Sequence, residues 1–190
     1  HKTVDAYTEE PVSNACKLLP AEVPGVITVS ATGGTNKLAH YSNYGLNIVE
    51  FAAPGGDFNV PVPGNASGQI VSSIPMTSLY YQAAADWNGR VATNCTDGLD
   101  PNDENADPST CDATFALLQG TSVAAPHVTG VAALVISRFG NLTAAGIQAK
   151  LALAAKKLPC EDVEGARCQG TSLLNGFYGH GLVDAYASVR

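Results

Sequence analysis

The chain has 190 residues, a net charge of −7 and an apolar fraction of 45%, with only 14% of its residues charged. This composition is typical of a globular domain and excludes a disordered chain. The negative charge argues against nucleic acid as a partner, because phosphate groups need a basic surface. No signal peptide and no apolar run of membrane-spanning length stand out, so we expect no membrane association.

Short apolar runs separated by turn residues come first along the chain. The β-branched run VITVSA at 26–31, with Pro and Gly before it, predicts a buried strand. A second strand is predicted at 47–52, ended by the turn APGG at 53–56, and a third at 70–74. Residues 75–112 hold the aromatic residues Tyr80, Tyr81 and Trp87 and then an acidic stretch, and an insertion loop is predicted at about 57–113.

The second half predicts helices. After a strand at 114–118, a helix is predicted from Ser122 to about Arg138. It is apolar on nearly every face, which predicts burial all round. Asn141 to Thr143 has the residue types of an N-cap before a helix at 144–157, and a short helix ends the chain. The alternation of strands and helices predicts an α/β fold with a mainly parallel sheet.

Five cysteines indicate a compartment and exclude one class of site. No CxxC pair occurs among Cys16, Cys95, Cys111, Cys160 and Cys168, which argues against a zinc site or a thioredoxin-like redox motif. The close spacing of 95 with 111, and of 160 with 168, predicts two local disulfides and therefore an oxidising, extracellular compartment. Cys16 is either free or paired with a residue outside this chain.

The stretch LQGTSVAAPHV at 118–128 has the features of a nucleophile site. A serine hydroxyl needs a base and oxyanion donors, and the first turn of a helix offers free N–H groups and a positive end. Gly120 allows a tight backbone entry, and Pro126 lacks the N–H that would bond to the carbonyl of Ser122. By local chemistry alone, Thr121 or Ser122 could equally be a simple N-cap.

The segment GTSVAAPHVTGVAALV closely resembles the serine motif of subtilisin-like proteases. Three further segments resemble this family in its order: LPAEVPGVITVSAT, HYSNYGLNIVEFAAPGG and FYGHGLVDAYAS. The resemblance implies a doubly wound α/β fold with a mainly parallel sheet, incomplete at its N-terminus. It also implies that Ser122 is the nucleophile, that Thr121 supports the oxyanion site, and that polypeptides are the substrates.

The family's Asp-[ST]-Gly, His-Gly-Thr-His and Ala-x-Gly-Asn motifs do not occur in this chain. The resemblance therefore implies that an N-terminal part of the same domain supplies the catalytic Asp and His and the oxyanion Asn. A local base is disfavoured, because His127 lies about 140° round the helix from Ser122. The expected function is a secreted serine endopeptidase; the alternative is a binding module with the same fold and no catalysis. An α/β-hydrolase esterase is disfavoured, because Ala124 stands where GxSxG needs glycine.

The resemblance also implies two further sites. Pro24, Val26 and Glu50 match positions at which some family members bind a structural calcium ion, although no cofactor is required for the chemistry. Glu50 is either this ligand or a solvated side chain at a strand edge. The acidic stretch at 97–107 either wraps calcium or is a soluble loop. Leu18 matches the base of the family's S1 pocket, where it would make the pocket shallow.

Overall fold

The structure of the chain is a computed structural model that describes residues 17, 19–61, 68–74, 92–93, 114–163 and 165–190. Its strands and helices are β1 (Val29–Thr32), β2 (Phe51–Pro54), β3 (Ile70–Ile74), β4 (Ala92–Thr93), β5 (Thr114–Leu118), α1 (Thr121–Phe139), α2 (Ala144–Ala154) and α3 (Ala185–Ser188).

A parallel pair of strands with a helix packed against it forms the centre of the fold. Strands β1 and β2 run parallel, with Val29 opposite Phe51 and Thr32 opposite Pro54. Both strands are almost wholly buried, as expected for a parallel pair. Helix α1 packs against both, and its buried residues join theirs in one apolar core. The predicted α/β class is confirmed.

Both strands of this pair begin later than the sequence predicts. The N–H of Val26 donates to the carbonyl of Val23 (3.1 Å), so a turn occupies the start of the run predicted as β1. Asn47 has a φ of 63°, in a turn where Ile48 and Val49 donate to the carbonyl of Gly45. The N–H groups of Val26, Ile48 and Val49 are thus bonded within turns and not to a neighbouring strand. Strand β2 begins at Phe51 and ends at Pro54, inside the predicted APGG turn.

The prediction that helix α1 is buried all round is wrong. Its buried residues, Ala124, Val128, Val131 and Val135, form one stripe with the spacing of a helix face. Leu134 and Ile136 lie on either side of this stripe, about 200° apart round the helix, and they are 50% and 46% exposed. Apolar composition could not distinguish a covered face from an uncovered one, because both faces have apolar residues.

Helix α1 also corrects the expectation about membrane-spanning length. By length and composition it is long and apolar enough to cross a membrane, and it is the one such helix in the described ranges. The helix of a protein core passes the same test, and the buried stripe of α1 packs on the parallel strands.

A second, antiparallel sheet brings the chain to the start of α1. Strand β5 pairs with β3, Ile70 opposite Leu118, and with β4 on its other side. The predicted strands at 70–74 and 114–118 are therefore confirmed. Much of 57–113 lies outside the described residues, and its being an insertion stays a prediction.

The C-terminal segment completes the core beside β2. The N–H of Ala52 donates to the carbonyl of Gly181, and the N–H of Val183 donates to the carbonyl of Ala52. The hydroxyl of Thr143 accepts from the N–H of Gly146, so the predicted N-cap of α2 is confirmed. Helix α2 ends at Ala154, three residues earlier than predicted.

A disulfide joins Cys160 to Cys168, as predicted from their spacing. The other predicted pair, Cys95 with Cys111, and the unpaired Cys16 lie outside the described residues.

Candidate functional site

Ser122 lies in the first turn of α1, immediately after strand β5 and the two residues that follow it. The residue is exposed. Neither its hydroxyl nor its backbone N–H bonds to another described residue, whereas the N–H groups of Val123 and Ala124 both donate to the carbonyl of Gly120. Among the described residues, the Ser122 hydroxyl and its neighbouring N–H therefore have no partner, and they lie at the positive end of a 19-residue helix.

Glycine is required at the turn before Ser122. Gly120 has a φ of 152°, which side chains disfavour, and a Cβ there would lie 3.0 Å from Oγ of Ser122. The N–H of Gly120 donates to the carbonyl of Gly55 (2.9 Å). The APGG turn after β2 is therefore fixed against the turn that presents Ser122.

The hydroxyl of Tyr41 also forms hydrogen bonds with the APGG turn. It lies 2.8 Å from the carbonyl oxygen of Gly55 and 2.6 Å from that of Gly56, so it donates a proton shared between them. Burial raises the pKa of Tyr41 to about 12, the Gly120 backbone opposes this rise, and the Asp57 carboxylate adds to it. Tyr41 consequently stays a neutral donor at physiological pH.

No described histidine contacts Ser122. The Nδ1–H of His127 donates to the carbonyl of Val123 one turn earlier in the same helix (2.9 Å). The ring of His180 packs on Phe51, and its pKa is lowered by burial and by the Lys157 charge. His40 is paired with a carboxylate instead. The described residues thus hold the parts of a nucleophile site and no base in contact with it.

The pair of His40 and Asp57 is a feature that sequence reasoning missed. Nδ1 of His40 lies 2.9 Å from Oδ1 of Asp57, and the backbone N–H of His40 donates to Oδ2 at the same distance. The Asp57 side chain is only 3% exposed, whereas that of His40 is 40% exposed. The two residues are 17 positions apart, and the one available signal was an acid directly after the APGG turn.

Thr121 and Leu18 complete the residues expected at the active site. Thr121 is the first residue of α1 and is partly buried, next to Ser122 as expected. Leu18, the predicted pocket residue, lies outside the described residues.

The candidate calcium ligands offer one carboxylate. Oε2 of Glu50 is buried and has no hydrogen-bond partner. Burial raises the pKa of Glu50, and a hydrogen bond from the Gln148 side chain opposes this rise. Pro24 and Val26 are exposed, and their carbonyls accept no hydrogen bond from the described residues. Carboxylate and carbonyl oxygens are the hard ligands that calcium prefers, so the chemistry of these three groups suits calcium.

A transition metal fits less well. The described part of the chain brings no three His, Cys, Asp or Glu side chains together around one point. The acidic stretch at 97–107 lies outside the described residues.

Comparison with known proteins places this geometry in a family. The profile of the Subtilase family matches residues 10–181. Fervidolysin of Fervidobacterium pennivorans is 34% identical over 125 residues, which is 64% of this chain and 13% of that protein. An extracellular protease of Xanthomonas campestris is 30% identical over 188 residues, which is 98% of this chain and 23% of that protein.

A solved protease structure from Pseudoalteromonas arctica has the same arrangement of elements. Its TM-score is 0.56 at 28% sequence identity, over 90% of this chain and 37% of that one. The chain spans less than a quarter of the length of fervidolysin and of the Xanthomonas protease. With the family profile covering most of its length, the chain belongs to the subtilase family.

Proposed function

We propose that the complete protein is a secreted serine endopeptidase and that Ser122 is its nucleophile. The observation that carries this proposal is the free Ser122 hydroxyl, exposed beside an unused N–H at the start of α1. Family membership supports peptide-bond hydrolysis as the reaction. The relative from Xanthomonas campestris is named an extracellular protease, and a relative from Dichelobacter nodosus is named an extracellular basic protease. The Cys160–Cys168 disulfide supports an oxidising compartment.

In the proposed reaction, Oγ of Ser122 attacks the scissile carbonyl carbon while a histidine takes its proton. The histidine and the aspartate that orients it come from the N-terminal part of the domain, because no described histidine contacts Ser122. The N–H of Ser122 donates to the oxyanion, together with an upstream asparagine. The histidine then protonates the leaving amine, and water releases the acyl group from Ser122.

The same N-terminal part is the partner we propose for the exposed apolar residues of α1 and α2. Leu134 and Ile136 of α1 are about half exposed, and Leu153 of α2 is 86% exposed. Neighbouring helices with exposed apolar residues are typical of a surface that another part of a protein covers. The chain on its own is then expected to be inactive, since no described histidine contacts Ser122 and these apolar residues would stay uncovered.

Calcium is the structural ion we propose for the oxygen ligands at Glu50. Its carboxylate and the carbonyls of Pro24 and Val26 would hold the ion, which would neutralise a buried carboxylate oxygen. The ion would stabilise the edge of β1 and β2 and take no part in the hydrolysis.

A fluorophosphonate probe tests the proposal on protein produced from its complete gene. We expect the label at Ser122, and we expect Ser122→Ala to lose the label and to lower kcat by about a millionfold. Ser137→Ala, an exposed serine of the same helix, is the matched control and should label normally. Absence of label on the processed wild-type protein would favour the alternative, a binding module without catalysis.

A further inference from the structure

Two exposed rings form a small surface beside the serine turn, which we call the His40–Phe58 shelf. The centroids of the His40 and Phe58 rings are 5.2 Å apart and the rings meet edge to face, at 80°. Phe58 is 54% exposed, and the side chain of His40 is 40% exposed. An exposed phenylalanine packed on an ordered imidazole is a surface available for contact with another apolar group.

The imidazole on this shelf is held in one orientation. Oδ1 of the buried Asp57 accepts from Nδ1–H of His40, because a carboxylate can only accept. The N–H of Asn59 donates to the same carboxylate, which keeps the loop closed around it (3.0 Å). When the ring carries one proton, on Nδ1, Nε2 is a hydrogen-bond acceptor, and no described residue donates to it.

Two separate connections hold the shelf beside Ser122. The N–H of Phe58 donates to Oε1 of Gln119 (2.9 Å), three residues before the nucleophile. Tyr41, which follows His40, donates to the carbonyls of Gly55 and Gly56. The carbonyl of Gly55 in turn accepts from the N–H of Gly120. The shelf and the nucleophile are therefore parts of one hydrogen-bonded unit.

We propose that the His40–Phe58 shelf is a specificity subsite for one residue of the polypeptide substrate. A large apolar or aromatic side chain packs against Phe58, and a backbone N–H of the same peptide donates to Nε2 of His40. The inference rests on the proposed function, because it takes Ser122 as the residue that cleaves the bound peptide. It assigns selectivity to residues outside the nucleophile motif.

The test compares variants of the protein produced from its complete gene on a peptide series. Each position on both sides of the cleaved bond is varied in turn among Phe, Leu, Ala and Asp. The variants are Phe58→Ala, Phe58→Leu and His40→Phe, which keeps a ring and removes the acceptor. Tyr186→Ala is the control, since Tyr186 is an aromatic residue 67% exposed on α3.

We expect wild type to prefer Phe or Leu over Ala at one position by about tenfold in kcat/KM, the scale of a modest apolar contact. Phe58→Ala should abolish that preference, Phe58→Leu should keep part of it, and His40→Phe should raise KM for every peptide. Tyr186→Ala should change none of these values. The rate of fluorophosphonate labelling at Ser122 should be the same in all variants, because the small probe does not reach the shelf.

The outcomes separate this inference from the proposed function. If Ser122 is labelled and peptides are cleaved, but Phe58→Ala keeps the wild-type preference at every position, the subsite is wrong and the endopeptidase stands. If the folded wild-type protein neither labels nor cleaves, both proposals fall. Equal loss of labelling in the Phe58 and His40 variants would also overturn the subsite, because it would show a role in supporting the serine turn instead.

Discussion

The hydroxyl of Tyr41 contacts both residues of the glycine pair beside the serine turn, Gly55 and Gly56. It donates to two carbonyls, and the pKa of Tyr41 is raised from 10.0 to about 12, mainly by burial. The fold thus favours the neutral phenol over the phenolate. This preference has a consequence for stability that can be measured.

Tyr41→Phe should lower the free energy of unfolding by about 1 kcal/mol at neutral pH, the usual contribution of one hydrogen bond. Between pH 10 and 12, Tyr41 ionises in the unfolded chain before it ionises in the folded one. Wild type should therefore lose stability as pH rises through this window, and its advantage over the variant should shrink. Denaturant unfolding of both proteins at neutral and alkaline pH measures this. An advantage that stays constant with pH would contradict it.

Glu50 has two alternative roles, a calcium ligand and a side chain at a strand edge, and a measurement of stability distinguishes them. Its Oε2 is buried and has no partner, which costs free energy unless a cation is bound. Added calcium should raise the Tm of wild type, and a chelator should lower it. Glu50→Gln should show a much smaller change, because the neutral amide lacks the negative charge and one of the two oxygens that a carboxylate offers to calcium. Glu22→Gln is a control carboxylate, and an equal response to calcium in Glu50→Gln would refute the site.

Among the structural elements, the contact between the end of β2 and the start of α1 sets the geometry of the site. A Cβ on Gly55 would lie 2.5 Å from the Cβ of Ala31, 2.8 Å from the carbonyl oxygen of Gly120 and 2.9 Å from the Tyr41 hydroxyl. Two of these neighbours belong to backbone or to a buried strand, so they cannot move aside easily. The close approach of the two turns requires glycine here.

Gly55→Ala should therefore destabilise the fold by about 1–3 kcal/mol, the usual cost of overpacking. It should also slow fluorophosphonate labelling of Ser122, because the serine turn must shift. Gly130→Ala is the matched control, since a Cβ at Gly130 meets nothing within 4 Å in the middle of α1. It should label normally and be slightly more stable, as expected for alanine in a helix. Normal labelling in Gly55→Ala would show that the contact does not position Ser122.

The two ends of α1 were predicted nearly correctly, but the prediction that all of its faces are buried was wrong, because only one stripe is buried. Its periodicity and the Gly residues before and after it bound the helix to within one residue at each end. Which of its apolar faces is covered depends on what packs there, and in this chain the parallel strands cover one face.

At the scale of the whole molecule, the Cys160–Cys168 disulfide closes a loop between α2 and the C-terminal segment that packs beside β2. In the chain-entropy account a loop of this length contributes about 2–3 kcal/mol. Replacing both cysteines by serine should lower stability by about this amount. No hydrogen bond among the described residues joins this loop to the serine turn, so probe labelling below the Tm should be retained. Thermal unfolding with and without a reductant measures the effect, and a Tm unaffected by reduction would contradict it.

The exposed apolar faces of α1 and α2 are also a property of the whole molecule. The chain spans less than a quarter of the length of fervidolysin and of the Xanthomonas protease, and no described histidine contacts Ser122. The N-terminal part that we propose as the source of the catalytic histidine would also cover these exposed apolar residues.

The sequence by itself determined the turn that presents Ser122, the order of the elements and the local disulfide. Each depends on residues close together in the chain: Gly120 and Pro126 around Ser122, Thr143 before α2, and Cys160 with Cys168. Backbone sterics, capping and short loop closure act over a few residues, and a pattern therefore reports them directly.

Only the tertiary structure decided which distant groups meet. It brought Asp57 to His40, the Tyr41 hydroxyl to the two glycine carbonyls, and Phe58 to Gln119. It also left apolar residues of α1 exposed on either side of its buried stripe, and one oxygen of Glu50 without a partner among the described residues. Burial and long-range hydrogen bonding depend on which elements pack together, and that is a property of the assembled core which no local pattern of residues contains.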